Sequence, residues 1–206
     1  MIYRLENMEH YMFKGVGPYD IPQVQPVPVS KYKEAKWMRF SNINFTNEQH
    51  TKFGVHFFIY DFLFTRLWEN PDKYIPILKR YPIVTGPDYS IYTNMAKAIQ
   101  IYNSFRKHWI EAYFQMYGVN MIPVISWALP QSYSWCFDGD PKHSVVAIST
   151  LGVFQDKDKL DLFMMGYEEM KQRLEPTMIM CYGKIPNEIA GEVVPMEKAY
   201  SVNFKK

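Results

Sequence analysis

Cysteine is scarce: Cys136 and Cys181 are the only two, far apart, with no CxxC partner and no clustered histidines. That argues against a disulfide scaffold and against a structural zinc site, and leaves free, buried thiols in a reducing compartment. Long apolar runs are missing as well. No stretch approaches the ~20 residues needed to cross a bilayer, and the N-terminal MIYRLENMEHYMFKG interleaves charges where a signal peptide carries a continuous apolar run. The expected location is cytoplasmic, with no membrane contact. Neither charge dominates, since 23 Lys and Arg face 21 Asp and Glu, so there is no global field of the kind that drives binding to a phosphate backbone. Finally, no G-x-x-x-x-G-K-[ST], G-x-G-x-x-G or G-x-S-x-G occurs, which takes support from P-loop hydrolysis, a standard dinucleotide site and the nucleophile elbow of α/β-hydrolases.

What is abundant is buriable surface. Apolar residues make up 48% of the chain and aromatic ones 17%, far more than a disordered chain offers, and 206 residues suit a single core. Residues 1–52 read as an extended lead-in packed on that core, because Gly15, Gly17, Pro18, Pro22, Pro26 and Pro28 forbid a long helix. Within it Ile21, Val24 and Val27 suit an edge strand or a wrapping arm.

Residues 53–206 read as an α/β core domain. Phe53–Tyr60 is a β-branched and aromatic run of strand length, and Trp68 with Asn70-Pro71 opens a helix carrying Tyr74, Ile77, Leu78 and Tyr81. Pro82–Thr85 is a strand ended by Gly86-Pro87-Asp88. The longest helical stretch is 92–117, with Ile99, Tyr102, Arg106, Trp109 and Tyr113 on one stripe and Ile101, Phe105 and Ala112 beside it. Met121–Trp127 is a strand whose Pro123 marks an end or a bulge, 128–143 a polar and aromatic loop, and Ser144–Ser149 a buried strand. Leu160, Phe163, Met164, Tyr167 and Leu174 define a last helix, and Thr177–Tyr182 a last strand. Such alternation predicts a parallel sheet. A regular eightfold barrel takes ~250 residues, so the expected fold is a reduced or irregular (β/α) barrel-like parallel sheet, with a doubly wound open sheet as the alternative.

The order of short motifs resembles a family of domain-of-unknown-function proteins found in phages, plasmids and Gram-positive bacteria. The residues that carry the likeness are Val55–Asp61 (VHFFIYD), Leu67–Pro71 (LWENP), Gly86–Ser90 (GPDYS), Asn103–Arg106 (NSFR), Ile122–Trp127 (IPVISW), Cys136–Gly139 (CFDG) and Ser149–Gly152 (STLG). The resemblance spans about Phe53 to Gly183 and implies a phage or mobile-element product acting inside a bacterial cell. It brings no activity or cofactor with it. The family shows two consecutive acids where this chain has Tyr60-Asp61.

In parallel α/β folds ligands bind beyond the carboxyl ends of the strands, where loops converge. The residues expected there are Asp61, Asp88 and Ser90, Ser126 and Trp127, Ser149 and Thr150, and Tyr182. Asp61 and Asp88 could act as an acid/base pair or hold Mg²⁺ through oxygen ligands, although Asp88 also suits a helix cap or the Pro-Asp turn. Arg106 on an aromatic stripe needs a carboxylate or a ligand phosphate. Trp127, Tyr133, Trp135 and Phe137 offer stacking faces, a plug or a partner interface. Asp138 and Asp140 read as a turn, since a calcium loop needs later ligands that are absent. His56 reads as a hydrogen-bonded core histidine. Lys31, Lys33, Lys36 and Arg39, like Lys205 and Lys206, read as solvated charges. No metal is expected.

Three functional readings follow. The first is a binding protein whose partner is a host protein or a small nucleotide-like ligand, held at the loop 132–140 and the adjacent strand ends. The second is a barrel-type enzyme using Asp61, Asp88 and Arg106 on a phosphorylated or sugar-containing substrate. The third, less favoured, is a single-stranded nucleic-acid binder.

Overall fold

The computed structural model describes residues 13–29, 35–43, 46 and 51–199; Lys31, Lys33, Lys205 and Lys206 lie outside them. The lead-in opens with a short antiparallel pair, β1 (Gly15–Val16) and β2 (Ile21–Pro22). The chain then runs as a wrapping arm with Ile21, Val24 and Val27 buried. It is tied down by Val24 N donating to Gly139 O and by Val145 N donating to Val27 O.

Four parallel strands follow in the spatial order β3 (Trp37–Arg39), β4 (Gly54–His56), β5 (Val84–Thr85), β6 (Met121–Ile122). The first of these falls in the stretch read from sequence as lead-in. Three more parallel strands are β7 (Val145–Ser149), β8 (Met178–Tyr182) and β9 (Val193–Pro195). Single parallel bridges link the two sheets at both seams, Val124 to Ala147 and Trp37 to Lys198. The strands thus follow one another around an irregular, barrel-like parallel sheet in which neither seam is a continuous ladder.

Alternation along each strand sorts the side chains into layers. Trp37, Ile83, Ile122, Val124, Val145, Ala147, Met178 and Met180 share one interior cluster, with Val27 of the arm and Met196 beside them. Their neighbours in sequence, Met38, Val84 and Met121, face a second cluster with the helices α1 (Arg66–Glu69), α2 (Pro71–Leu78) and α3 (Lys97–Met116). Val146, Ile148, Ile179 and Cys181 face a third, with α4 (Lys157–Leu174). An open doubly wound sheet has no interior cluster of this kind.

The strands are shorter than the apolar runs that announce them, because side chains take over the backbone bonds early. Phe57 N donates to Thr85 Oγ1 and Phe58 N to His56 Nδ1, so β4 ends at His56 while the run continues to Tyr60. Pro123 ends β6 as its missing N–H requires, yet its carbonyl accepts from Ala147 N at the seam.

The largest departure from expectation is α3. Ile99 and Tyr102 are 49% and 43% exposed, whereas Asn103, Ser104, Lys107, His108 and Glu111 are buried. Trp109 and Tyr113 do enter the core, but the inward face is largely polar. The reason lies in the sheet. After Gly86 the chain leaves β5, and Val124, two residues past the end of β6, has no strand on that side. Lys107 Nζ donates to Val124 O at 2.6 Å and Glu111 Oε1 accepts from Val124 N at 2.8 Å, supplying the missing ladder bonds. Gly86 is required here, since a Cβ on it would sit 1.7 Å from Glu111 Oε1.

Candidate functional site

All seven parallel strands point one way, so their carboxyl ends meet at one mouth. Arg39 ends β3, His56 ends β4 and Tyr182 ends β8, with Lys198 following β9. His56 packs on Tyr182 with ring centroids 4.3 Å apart, and Phe58 stacks on Tyr182 at 5.3 Å. These three rings are buried and floor the mouth. Exposed Lys198 stands over the Tyr182 ring at 5.8 Å, and exposed Arg39 is near enough for its charge to act on His56. Burial first, then the charges of Arg39 and Lys198, push the His56 pKa down to about 3. The imidazole is therefore neutral, and because Nδ1 accepts from Phe58 N, the ring proton sits on Nε2. His56 is the core histidine expected from sequence, with a local positive potential around it.

The rim carries apolar side chains in the open. Tyr60 and Phe62, directly after β4, are each 73% exposed and stacked on one another at 5.8 Å. Tyr92 after β5, Leu129 after β6, and Leu151 and Phe154 after β7 are exposed too. Lys184 lies over the Phe154 ring at 4.5 Å. Half-buried Ser149 ends β7, and half-buried Ser126 lies four residues past β6.

Beside the mouth, Asp61 accepts from Ser90 N at 3.1 Å and from Ser90 Oγ at 2.8 Å. Arg106 approaches the oxygen that accepts from Ser90 N, Nη2 to Oδ2 at 4.0 Å, and stacks on the Tyr89 ring at 3.7 Å. Arg106 thus has an internal carboxylate partner, yet its Nε, like Tyr89 Oη, is buried without one. Asp88 belongs to the same group. Burial, with Asp61 adding and Lys107 opposing, pushes its pKa up to about 7, so near neutral pH it stays partly protonated.

Beneath Asp88 lies the polar face of α3. His108 Nε2 is 2.9 Å from Asp140 Oδ1, and Lys107 Nζ is 3.9 Å from the same oxygen. Glu111 is fully buried and its pKa rises to about 8, chiefly from burial, with Lys107 opposing and Asp140 adding. Glu111 Oε2 and Asp140 Oδ2 have no hydrogen-bond partner. A buried oxygen left bare costs about 1–3 kcal/mol. Asp140 does close the turn at Gly139, where φ is +80°, but it also anchors this cluster.

Asp61, Asp88, Ser90 and Arg106 therefore gather in one place, and Ser126, Ser149 and Tyr182 line the neighbouring strand ends. Thr150 is buried and spends its hydroxyl on Lys184 O at 2.7 Å. Trp127 packs outward on α4, where a Cβ on Gly166 would lie 2.2 Å from its ring, and Trp135 is 1% exposed in the outer cluster. The stacking surface expected of the loop 132–140 is thus core: Tyr133 and Phe137 are buried as well. The open rings are instead Tyr60, Phe62, Tyr92 and Phe154. Sequence reasoning also passed over Lys107, His108 and Glu111. Their signal was polar residues at helical spacing, Asn103-Lys107-Glu111 and Ser104-His108, on a helix whose other faces are aromatic.

Residues 13–200 match a family described as a domain of unknown function (DUF4417). The chain is 34% identical over 175 residues to the Gene 1 protein of Mycobacterium phage L5, covering 84% of this chain and 75% of that one. It is 30% identical over 175 residues to the Gene 1 protein of Mycobacterium phage D29, covering 84% of this chain and 63% of that one. No solved structure matches it. No helix among the described residues is long and apolar enough to cross a membrane.

Proposed function

The chain belongs to the DUF4417 family, in company with phage proteins, and we propose that it works by binding a small nucleotide-like ligand over the mouth of its barrel-like sheet. One observation carries this reading. Two exposed cations, Arg39 and Lys198, share the mouth with an exposed, stacked aromatic pair, Tyr60 and Phe62, delivered by the adjacent strand β4. Guanidinium and ammonium groups take phosphate oxygens, and an open ring stacks on a base for roughly 1–3 kcal/mol. Neutral His56 and the Ser126 and Ser149 hydroxyls add hydrogen-bonding groups without adding charge.

Calorimetric titration of the full chain with nucleoside mono- and triphosphates, and with short single-stranded oligonucleotides, tests the proposal. The expected result is binding of a mononucleotide that weakens at least about tenfold, or ~1.4 kcal/mol, in each of Arg39→Ala and Lys198→Ala. Failure of every nucleotide to bind, or equal affinity in the double variant, overturns it. Oligonucleotide binding without mononucleotide binding transfers the site to a single-stranded nucleic-acid role.

A second reading, an enzyme of the barrel type acting on a phosphorylated or sugar-containing substrate, is favoured by the contrast between two neighbouring carboxyls. Asp61 accepts two hydrogen bonds from Ser90, while burial pushes the Asp88 pKa up to about 7. Such a division suits an acid and a base. Loss of turnover in Asp88→Asn with unchanged ligand affinity is the result that distinguishes it.

A further inference from the structure

The cluster under α3 takes no part in the proposed ligand site, and two of its buried oxygens have no partner among the protein groups. His108 Nδ1 is 2.7 Å from Ser104 O. A carbonyl oxygen only accepts, so Nδ1 carries the proton and a neutral ring turns the bare lone pair of Nε2 toward Asp140 Oδ1, 2.9 Å away. Two lone pairs at that distance repel each other unless a proton or a metal ion lies between them. What lies there is either a proton, on the ring or on the Asp140 carboxyl, or a metal ion.

Three observations favour the metal. Ligand atoms of His108, Glu111 and Asp140 all lie within 4.8 Å of one another, and all three residues are buried. Glu111 Oε2 and Asp140 Oδ2 are both buried without partners, and a proton between Nε2 and Oδ1 satisfies neither. The Nδ1–H to backbone carbonyl bond is the outer-shell contact that commonly fixes a metal-bound histidine. Lys107 is the opposing charge, with its Nζ tied to Val124 O at 2.6 Å. Asp88 nearby brings the carboxylates to three.

We propose that His108, Glu111 and Asp140 hold one divalent first-row transition-metal ion inside the protein, between α3 and the Gly139 turn. One imidazole with two carboxylates suits Zn²⁺ or Mn²⁺, whereas Mg²⁺ and Ca²⁺ prefer all-oxygen sets. The ion joins the helix to the turn where β5 has left the sheet.

The test uses the full chain, stripped with a chelator, dialysed, and titrated with ZnCl₂ and MnCl₂ separately, with MgCl₂ as the contrast. The expected result is about one equivalent of Zn²⁺ or Mn²⁺ and a raised melting temperature, with no effect of Mg²⁺. Glu111→Gln and Asp140→Asn should each weaken uptake at least about tenfold while melting cooperatively. Wild-type protein that binds neither ion at millimolar concentration holds only a proton there, and the proposal fails. It fails equally if folded variants bind as wild type does. Should the variants not fold, Co²⁺-loaded wild type decides: a visible spectrum from low-symmetry nitrogen and oxygen ligation supports the site, and the spectrum of the aqueous ion overturns it.

Discussion

Glu111→Gln in metal-free protein puts the physics of the buried face to a quantitative test. Burial raises the Glu111 pKa from an ordinary 4.5 to about 8, so the folded state binds a proton that the unfolded chain releases. A raised carboxyl pKa means stability that is fully present below about pH 4.5 and lost as pH climbs toward 8. Each pH unit in that window costs about 1.4 kcal/mol, so wild type loses roughly 3 kcal/mol between pH 5 and pH 7.5 from this group. Glutamine cannot ionise, and its Oε1 keeps the bond from Val124 N. Urea unfolding at pH 5, 6.5 and 7.5 is the assay. The variant should gain on wild type by roughly 3 kcal/mol across the series. Parallel stability curves for the two proteins would refute the reasoning.

Gly86→Ala drives a Cβ to 1.7 Å from Glu111 Oε1 and should cost about 1–3 kcal/mol. The cost should shrink in a Glu111→Ala background, a coupling that denaturant midpoints of the four proteins measure. Asp88→Asn should remove a smaller pH dependence of the same sign, about 1–2 kcal/mol lost between pH 4 and pH 7 in wild type, because Asp88 is only half-buried. Comparing melting temperatures across that range checks it.

How much was legible depended on whether an element packs against apolar neighbours. β7 and β8 were readable nearly residue by residue, because both faces of those strands are buried in apolar clusters. The α4 stripe Phe163, Tyr167 and Leu174 was readable for the same reason. By contrast, α3 lies over a gap where β5 departs, and what fills a gap in a hydrogen-bonded sheet is polar. Hydrophobic periodicity therefore assigned Ile99 and Tyr102 to the wrong side. β3 was missed because its three residues follow a proline-rich stretch and carry little run length. At the site, Asp61, Asp88 and Ser90 follow from strand-end logic, and Arg106 from its place on an aromatic helical stripe. Trp127 and Trp135 did not, since aromatic content says nothing about which face a loop turns inward, and both rings turn onto the α4 layer. Arg39 and Lys198 look like ordinary surface charges until a parallel sheet brings them together over His56.

The most direct test of the mouth as binding site is the NMR signal of the His56 ring during titration with a nucleoside monophosphate. His56 should shift progressively and saturate with the ligand, while His143, exposed ahead of β7 at the opposite end, stays still. A saturating titration that leaves His56 unmoved, or moves His143 instead, would contradict the account.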